Sequence, residues 1–317
     1  MRDREGRRID YLRISVTDLC SLRCIYCMPE QGVHKCAHRD ILSFEEIAEI
    51  AEATARLGVH KIRLTGGEPL VRRGIADLVR MLVRIPDIEE VDMTTNGVLL
   101  APLAEELKEA GLTRLNISLD TLDPERYRTI TRTGELRDAL SGIAAARAAG
   151  FEDTKIDCVL LGGVNDDDWM QVAGLARKDV ASVRFIELMP MGECATWPRE
   201  RFVSADAVLE KLPFLVPAGT DGVAELYSAP GWEGTIGLIR PMTHRFCRGC
   251  GRLRLTSGGR LKPCLHAPVE VPLRGLHGKE LDEALRRAIA LKPEGHHMDI
   301  ADGHTSESCR PMNEIGG

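Results

Sequence analysis

Six of the ten cysteines fall into two groups of three. Cys20, Cys24 and Cys27 are spaced C-x3-C-x2-C in DLCSLRCIYCMPEQG, and Cys247, Cys250 and Cys264 are spaced C-x2-C-x13-C in HRFCRGCGRLRLTSGGRLKPCL. Metal sites closed by protein alone usually take four ligands, and neither triad offers an obvious fourth. Three thiolates wrapped around a cuboidal iron–sulfur cluster leave one iron open, and an open metal position is the mark of a catalytic site. The competing reading is zinc, with the first triad completed by His34, Cys36 or His38 and the second closed as a zinc ribbon by His244 or His266. Spacing alone leaves both metals open at the second triad; the first triad tilts the choice toward iron.

The thirteen residues between Cys250 and Cys264 read as a hairpin, GRLRLT out, Ser257-Gly258-Gly259 as the turn and RLKPC back, which returns Cys264 to its partners. Alternation puts Cys250, Arg252 and Arg254 on one face. With Arg13, Arg63 and Lys155 on interior strand faces, these cations predict a polyanionic ligand, since unmatched charge inside a barrel is costly and guanidinium suits phosphate or carboxylate. No GxxxxGK[ST] occurs, so a nucleotide would be held without a P-loop.

The elements that carry these residues alternate. Six apolar-alternating stretches begin at Tyr11, Lys61, Val91, Arg114, Lys155 and Val183, most of them separated by a helix-like segment. Ser43 and Glu46 form a capping box for the first helix, with Gly58 near its C-terminal end, and Gly111 and Gly150 end later helices. Strand–helix alternation means a parallel sheet. Leu12, Ile14 and Val16 alternate with Arg13, Ser15 and Thr17, and the next three strands repeat this, with Thr94 and Ser118 on their polar faces. The pattern blurs in the fifth strand and is mostly lost in the sixth. A covered parallel sheet should be apolar on both faces, and a full barrel fills its interior with branched apolar residues. A polar interior therefore predicts a partial (β/α)6 TIM-like barrel with a ligand inside, and places the first triad in the first βα loop. The expected division is residues 1–191 for the barrel and 192–317 for a C-terminal extension that carries the second iron–sulfur site.

Composition sets the outer bounds. The 317 residues are 44% hydrophobic and 28% charged, with a net charge of −6, which gives no general attraction to nucleic acid or anionic lipid. No eighteen-residue apolar run occurs, and residues 1–10 lack the apolar core of a signal peptide. A cytoplasmic protein with reduced cysteines is expected.

Two motifs carry a resemblance. CSLRCIYC, with Tyr26 before the last cysteine, and LTGGEPL, Leu64 to Leu70, resemble the radical S-adenosylmethionine (SAM) superfamily. There, SAM's amino and carboxylate groups take the fourth position on the open iron, and one electron from the cluster releases a 5′-deoxyadenosyl radical. Glycines 66 and 67 are read as letting the backbone approach SAM. The two triads in this order, with the tail Ile315-Gly316-Gly317, are similar nearly end to end to the GTP 3′,8-cyclase (MoaA) family of molybdenum-cofactor biosynthesis.

That resemblance implies two 4Fe–4S clusters and SAM as cofactors, with Cys20, Cys24 and Cys27 as the catalytic cluster ligands. It implies SAM contacts at Tyr26, Gly67, Ser118 and Met189. GTP contacts would be Arg13, Arg63, Thr94, Lys155, Arg252, Leu253 and Arg254, with guanine on the second cluster and Gly316-Gly317 reaching into the active site. It also implies C3′–C8 bond formation in GTP, an electron donor of flavodoxin or ferredoxin type, cyclic pyranopterin monophosphate synthase downstream, and a homodimer as one assembly it allows. Ser21 and Gly251 depart from the family, where asparagine commonly follows a cluster cysteine. Cys36, Cys158, Cys194 and Cys309 receive no role, and His296-His297 reads as ordinary surface. Two other readings stand: a radical SAM enzyme acting on a peptide with an auxiliary cluster, and a non-catalytic zinc-binding scaffold.

Overall fold

The apolar face of every central strand is almost fully removed from water: Leu12, Ile14, Ile62, Leu64, Met93, Leu115, Ile117 and Ile156 are all at 0% exposure. Each such side chain contributes roughly 1.5–3 kcal/mol by burial, which fixes the register of the sheet, because a one-residue slip would turn the opposite, polar face into the helices. The computed structural model describes residues 1–33, 38–308 and 310–315, with backbone only at His38. The zinc completion by His34, Cys36 or His38, Cys309 and the tail glycines Gly316 and Gly317 lie outside the described residues or side chains.

Strands β1 (Tyr11–Ser15), β2 (Lys61–Thr65), β3 (Glu90–Thr95), β4 (Arg114–Ser118), β5 (Lys155–Leu160) and β6 (Ser182–Glu187) lie side by side and parallel. Between them run α1 (Phe44–Arg56), α2 (Ile75–Leu82), α3 (Ala104–Glu109), α4 (Pro124–Thr131), α5 (Leu136–Ala148) and α6 (Trp169–Ala173). The expected capping box forms on α1: Glu46 N–H donates to Ser43 Oγ at 3.1 Å and Ser43 N–H to the Glu46 carboxylate at 2.7 Å. Gly58, at φ +98°, takes the left-handed conformation that ends this segment.

The sixth strand corrects the sequence reading. Its alternation persists: Val183 and Phe185 are buried at 0%, while Arg184 and Ile186 lie on the other face. The signal was hidden because the inward residues of β6 include an isoleucine, so polarity no longer marks the face.

The C-terminal region holds α7 (Asp206–Lys211), β7 (Val216–Asp221), β8 (Ala224–Ser228), β9 (Thr235–Ile239), β10 (Arg252–Leu255), β11 (Arg260–Lys262), β12 (Val271–Pro272), α8 (Gly278–Ala290) and α9 (Met312–Ile315). It extends the sheet at both ends, giving the order β12-β11-β10-β1-β2-β3-β4-β5-β6-β9-β8-β7. Strand β9 runs parallel to β6 and β10 parallel to β1, so among the described residues eight adjacent strands are parallel rather than the six expected. β9 and β10 do not pair with each other, and the barrel stays open. The predicted hairpin is present as β10 and β11, which run antiparallel with Arg254 opposite Lys262.

This topology separates the triads. Cys20, Cys24 and Cys27 follow the C-terminal end of β1, whereas Cys247 and Cys250 precede β10, whose start lies beside the start of β1 (Tyr11 opposite Arg252). Antiparallel pairing brings Cys264, after β11, back to that same end. The two triads therefore sit at opposite ends, or mouths, of the polar inner face of the barrel, its channel, apart by about the length of a five-residue strand, ~17 Å.

Candidate active site

The first triad lies in a loop stitched to the end of α4: Arg23 N–H donates to Thr131 O and Ile25 N–H to Ile130 O, both at 2.9 Å. Arg132 adds two bonds, to the carbonyls of Arg23 at 3.0 Å and Met28 at 2.9 Å. All three cysteines are free thiols. Burial pushes Cys20 up to about 11 and Cys27 up to about 12, and holds Cys24 well above its ordinary value, with the neighbouring sulfurs adding to the effect at Cys24 and Cys27. These thiols gain little from nearby cations, so the positive charge needed to make them ligands must come from bound metal, which deprotonates a coordinating thiol. This donor set fits an iron–sulfur cluster. Asn96 Nδ2 reaches Cys20 Sγ at 3.8 Å and donates to Ser21 Oγ at 3.0 Å, so the serine that departs from the family pattern is tied into the loop.

Leu64 to Leu70 packs tightly against the chain that leads into the first triad. A Cβ on Gly67 would lie 2.3 Å from Leu19 O and 2.7 Å from Asp18 O, and one on Gly66 would lie 2.6 Å from Thr17 O. Gly67 N–H donates to Thr17 O and Glu68 N–H to Leu19 O, both at 2.8 Å. The glycines thus let this loop press against the backbone that leads into the cysteine loop, and these two N–H groups are used by protein rather than left for a ligand. Glu68, at 1% exposure, accepts from Leu70 N–H at 3.0 Å, Thr95 Oγ1 at 2.7 Å and Asn96 N–H at 2.7 Å. Burial still raises its carboxyl to about 7. Its clamping role was not read from sequence, although the acid inside a Gly-Gly-Glu-Pro turn was the available signal.

Cys24, Tyr26, Asn96, Ser118 and Asp120 line one small cavity of about 30 Å³ beside the first triad. Tyr26 donates to Asp120 Oδ2 at 2.7 Å, and Asp120 Oδ1 accepts from Val159 N–H at 2.8 Å. Burial raises Asp120 to about 6. Tyr26 and Ser118 are therefore brought together with the triad, and Gly67 sits on the adjoining loop. Met189 lies beyond the end of β6, half-buried, and is not among the residues that line this cavity. At the same mouth, Asn313 of α9 is 1% exposed, donates Nδ2 to Asp18 O at 3.2 Å, and its backbone N–H bonds the Cys27 sulfur. Arg310 anchors that segment through Glu270, at 2.6 and 3.1 Å.

The channel between the mouths carries the predicted cations, but they are not unmatched. Arg63 pairs with Asp92 at 2.7 Å and donates to Tyr11 Oη at 2.5 Å and Thr94 Oγ1 at 3.3 Å. Lys155 pairs with Asp221 at 2.6 Å, which Arg184 also reaches at 2.5 Å. Arg13 and Arg254 are engaged as well. Burial is the main cause that lowers Arg13 to about 10, with Arg63 and Arg252 adding to it against Tyr11, and burial with Arg13 and Arg252 lowers Arg254 to about 9, so cations crowd this face. Arg252 lies over the rings of Tyr11 and Phe246, at 5.8 and 5.6 Å. The Leu253 side chain is at 0% exposure in the core on the opposite face, away from the channel.

At the far mouth Cys250 differs from the first triad. Burial raises its pKa, but Lys292, Arg252, its backbone bond and Arg254 outweigh that, and the net shift is downward. A thiol already biased toward thiolate fits metal ligation. Gly251, the second departure from the family, has a packing reason: a Cβ there would lie 2.3 Å from Arg8 O and 2.5 Å from an Asp10 oxygen. His296 is half-buried rather than ordinary surface, with its ring edge on His266 at 5.1 Å between centroids and Nε2 3.0 Å from Pro241 O. His266 Nδ1 lies 3.1 Å from Ser306 Oγ, and burial lowers its pKa to about 3. Among the described residues no three His, Cys, Asp or Glu side chains gather as a single metal ion would need.

Residues 14–176 match the radical SAM superfamily, and residues 181–298 match the region described as Molybdenum Cofactor Synthesis C. Curated relatives match along the whole chain. A GTP 3′,8-cyclase of Alkaliphilus metalliredigens is 46% identical over 100% of both chains, and one of Peptoclostridium acidaminophilum is 47% identical over 99% of this chain and 98% of its own. The chain belongs to the GTP 3′,8-cyclase family. Among solved structures, Streptococcus suis SuiB bound to precursor peptide SuiA superposes with a TM-score of 0.65 at 12% identity, over 95% of this chain and 74% of that one. Methylornithine synthase (PylB) gives 0.52 at 19% identity, over 65% and 62%. Those likenesses show the radical SAM fold, a partial barrel, and the sequence relatives place this member in the GTP 3′,8-cyclase family. No helix among the described residues is long and apolar enough to cross a membrane.

Proposed function

We propose that this chain is a GTP 3′,8-cyclase acting at the first step of molybdenum-cofactor biosynthesis. The observation that carries the reading is one polar channel with a thiol triad at each mouth and opposite electrostatic surroundings at the two. Near the first triad the acids Glu68 and Asp120 suit SAM's ammonium and sulfonium, with Arg23 also beside Cys20; near the second Arg252 and Arg254 suit a triphosphate. The cluster and SAM held at the first triad would supply a 5′-deoxyadenosyl radical able to take the C3′ hydrogen of GTP as 5′-deoxyadenosine. Joining C3′ to C8 across the guanine C8–N7 double bond would then require one electron, from a donor of flavodoxin or ferredoxin type, and a proton.

The chain's own residues then have the following parts. Cys20, Cys24 and Cys27 hold one 4Fe–4S cluster and leave one iron to SAM. Tyr26, locked by its bond to Asp120, borders the adenine, and Gly67, Ser118 and Met189 complete the SAM site. Cys247, Cys250 and Cys264 hold a second 4Fe–4S cluster that receives guanine. Arg13, Arg63, Thr94, Lys155 and the Arg252–Arg254 strand position the ribose and phosphates, and the family resemblance assigns the Gly316-Gly317 tail to the active site. That electron donor, hand-over to cyclic pyranopterin monophosphate synthase and a cytoplasmic location belong to the same reading, as does the division at residue 191; a homodimer is one assembly it allows.

The test is anaerobic. Reconstituted protein with dithionite and SAM is assayed for 5′-deoxyadenosine with and without GTP. GTP-stimulated formation together with a cyclised guanosine product is the expected result. SAM cleavage indifferent to GTP overturns the substrate and turns attention to peptides, and zinc in place of iron and sulfide overturns radical chemistry altogether.

A further inference from the structure

Lys292 stands just beyond α8 and is buried, at 6% exposure. Its ammonium group has three donors, and three acceptors meet them: Pro263 O at 2.7 Å, Arg252 O at 2.8 Å and Cys250 Sγ at 3.9 Å. Pro263 directly precedes Cys264, and Arg252 begins β10 two residues after Cys250, so one side chain spans both arms of the hairpin at the point where its cysteines must meet. Two carbonyls and a sulfur are its hydrogen-bond acceptors, with no carboxylate among them. A buried cation so placed costs several kcal/mol unless anionic sulfur balances it.

A second buried cation continues the same wall. Arg7, at 7% exposure, donates to Cys247 O at 3.0 Å, Glu294 O at 2.9 Å and Pro293 O at 2.7 Å, while its Nε pairs with Asp3 at 2.6 Å. A Cβ on Gly295 would touch Cys247 Sγ at 3.5 Å. Residues 292–295 thus form a floor beneath the triad, reaching Cys250 and Cys264 through Lys292 and Cys247 through Arg7 and Gly295. Among the described residues the Cys20 sulfur of the first triad is met by the Leu22 N–H and the Asn96 amide rather than by an ammonium.

We propose that Lys292 is a positioning residue of the second triad: it ties the Cys250 and Cys264 arms of the hairpin together in their metal-binding arrangement and, through its bond to the Cys250 sulfur, sets the reduction potential of the cluster they carry. This rests on the reading that the second triad holds an iron–sulfur cluster. Hydrogen bonds and charge at cluster sulfurs tune potential, and outer partners of metal ligands are worth about 10–100-fold in metal affinity.

The experiment compares full-length wild type, Lys292→Met and Lys292→Arg after anaerobic reconstitution. It reads iron and sulfide per chain, SAM cleavage without GTP as a report on the first cluster, and the second cluster's potential by redox titration followed by electron paramagnetic resonance. Wild type holding a single cluster would overturn the underlying reading rather than this inference. Given two, Lys292→Met is expected either to lose about half its iron while keeping SAM cleavage, or to keep both clusters with the second potential moved negative. Lys292→Arg, which keeps the cation and its donors, restores wild-type behaviour in part. Both clusters retained with unchanged potential in Lys292→Met overturns the proposal. So does loss of both clusters in the Met and Arg variants alike, which would make the lysine a requirement of the fold. If only Lys292→Met fails to assemble, Lys292→Gln takes its place under the same criteria.

Discussion

The two cysteine triads present the same ligand count in opposite electrostatic settings. At the first, burial and neighbouring sulfurs raise the thiols, and the nearby acids Glu68 and Asp120 are themselves pushed up toward neutrality. At the second, Cys250 is lowered by Lys292, Arg252 and Arg254 against its burial. Equal ligand count therefore does not mean equal chemistry: on the proposed reading one mouth takes a cationic cosubstrate and the other an anionic substrate.

The widest test of this contrast substitutes one cysteine at a time. Cys24→Ser is expected to abolish both SAM cleavage and cyclisation, whereas Cys250→Ser keeps SAM cleavage and brings cyclised product down to background, read by chromatography of 5′-deoxyadenosine and product. If Cys250→Ser also stops SAM cleavage, the two mouths are not independent. Gly67→Ala comes next. Its Cβ would meet backbone at 2.3 Å, so the two loops must part, and iron bound at the first triad should fall while the second triad keeps its own.

Glu68 offers a pH test of the first mouth. Its folded pKa of about 7 lies above the ordinary 4.5, so the fold favours the protonated form. That contribution is fully present below about pH 4.5 and is lost as pH rises through 7, an effect on the order of a few kcal/mol. Denaturant midpoints of the cluster-free chain should thus fall between pH 5 and 8 more steeply in wild type than in Glu68→Gln; parallel slopes would remove Glu68 as the titrating group.

At the second mouth, Arg252→Ala deletes a charge-assisted contact worth about 1.5–3 kcal/mol, which is roughly a 10–100-fold rise in KM for GTP. The KM for SAM should not move; a matching rise there would erase the division of charge. The smallest effect is in reactivity. In the cluster-free chain near pH 8, iodoacetamide should modify Cys250 before Cys24, by about tenfold or more in rate, because the thiolate is the nucleophile. Mass spectrometry of timed samples decides the order.

Much of the architecture was legible because periodicity and burial agree. The alternation in β1 to β4 identified the inward face, Ser43 and Glu46 identified the start of α1, and the Ser257-Gly258-Gly259 turn identified the hairpin. What escaped detection depended on tertiary pairing. Nothing local in TIGLI or RLRL says that β9 and β10 will lie parallel to β6 and β1, since the partner strands are dozens to hundreds of residues away. The site followed the same rule. Cysteine spacing and inward cations could be read along the chain, whereas the acids that answer them could not: Asp92 reaches Arg63 across adjacent strands, and Asp221 reaches Lys155 from the β7–β8 hairpin. The ionic pairing of a channel is a property of register, and register is fixed by the opposite, apolar face.

The pairing of β1 with β10 also governs how the chain is born. Leu12 lies opposite Leu253, 241 residues further on (253 − 12). At roughly 5–20 residues per second on the ribosome, the open edge of β1 waits about 12–48 s for its neighbour. Through that interval the first cysteine loop is already made, while the second triad has yet to be translated. A nascent chain of this design spends that interval with one edge of β1 uncovered, so protection during translation matters to it as much as stability afterwards.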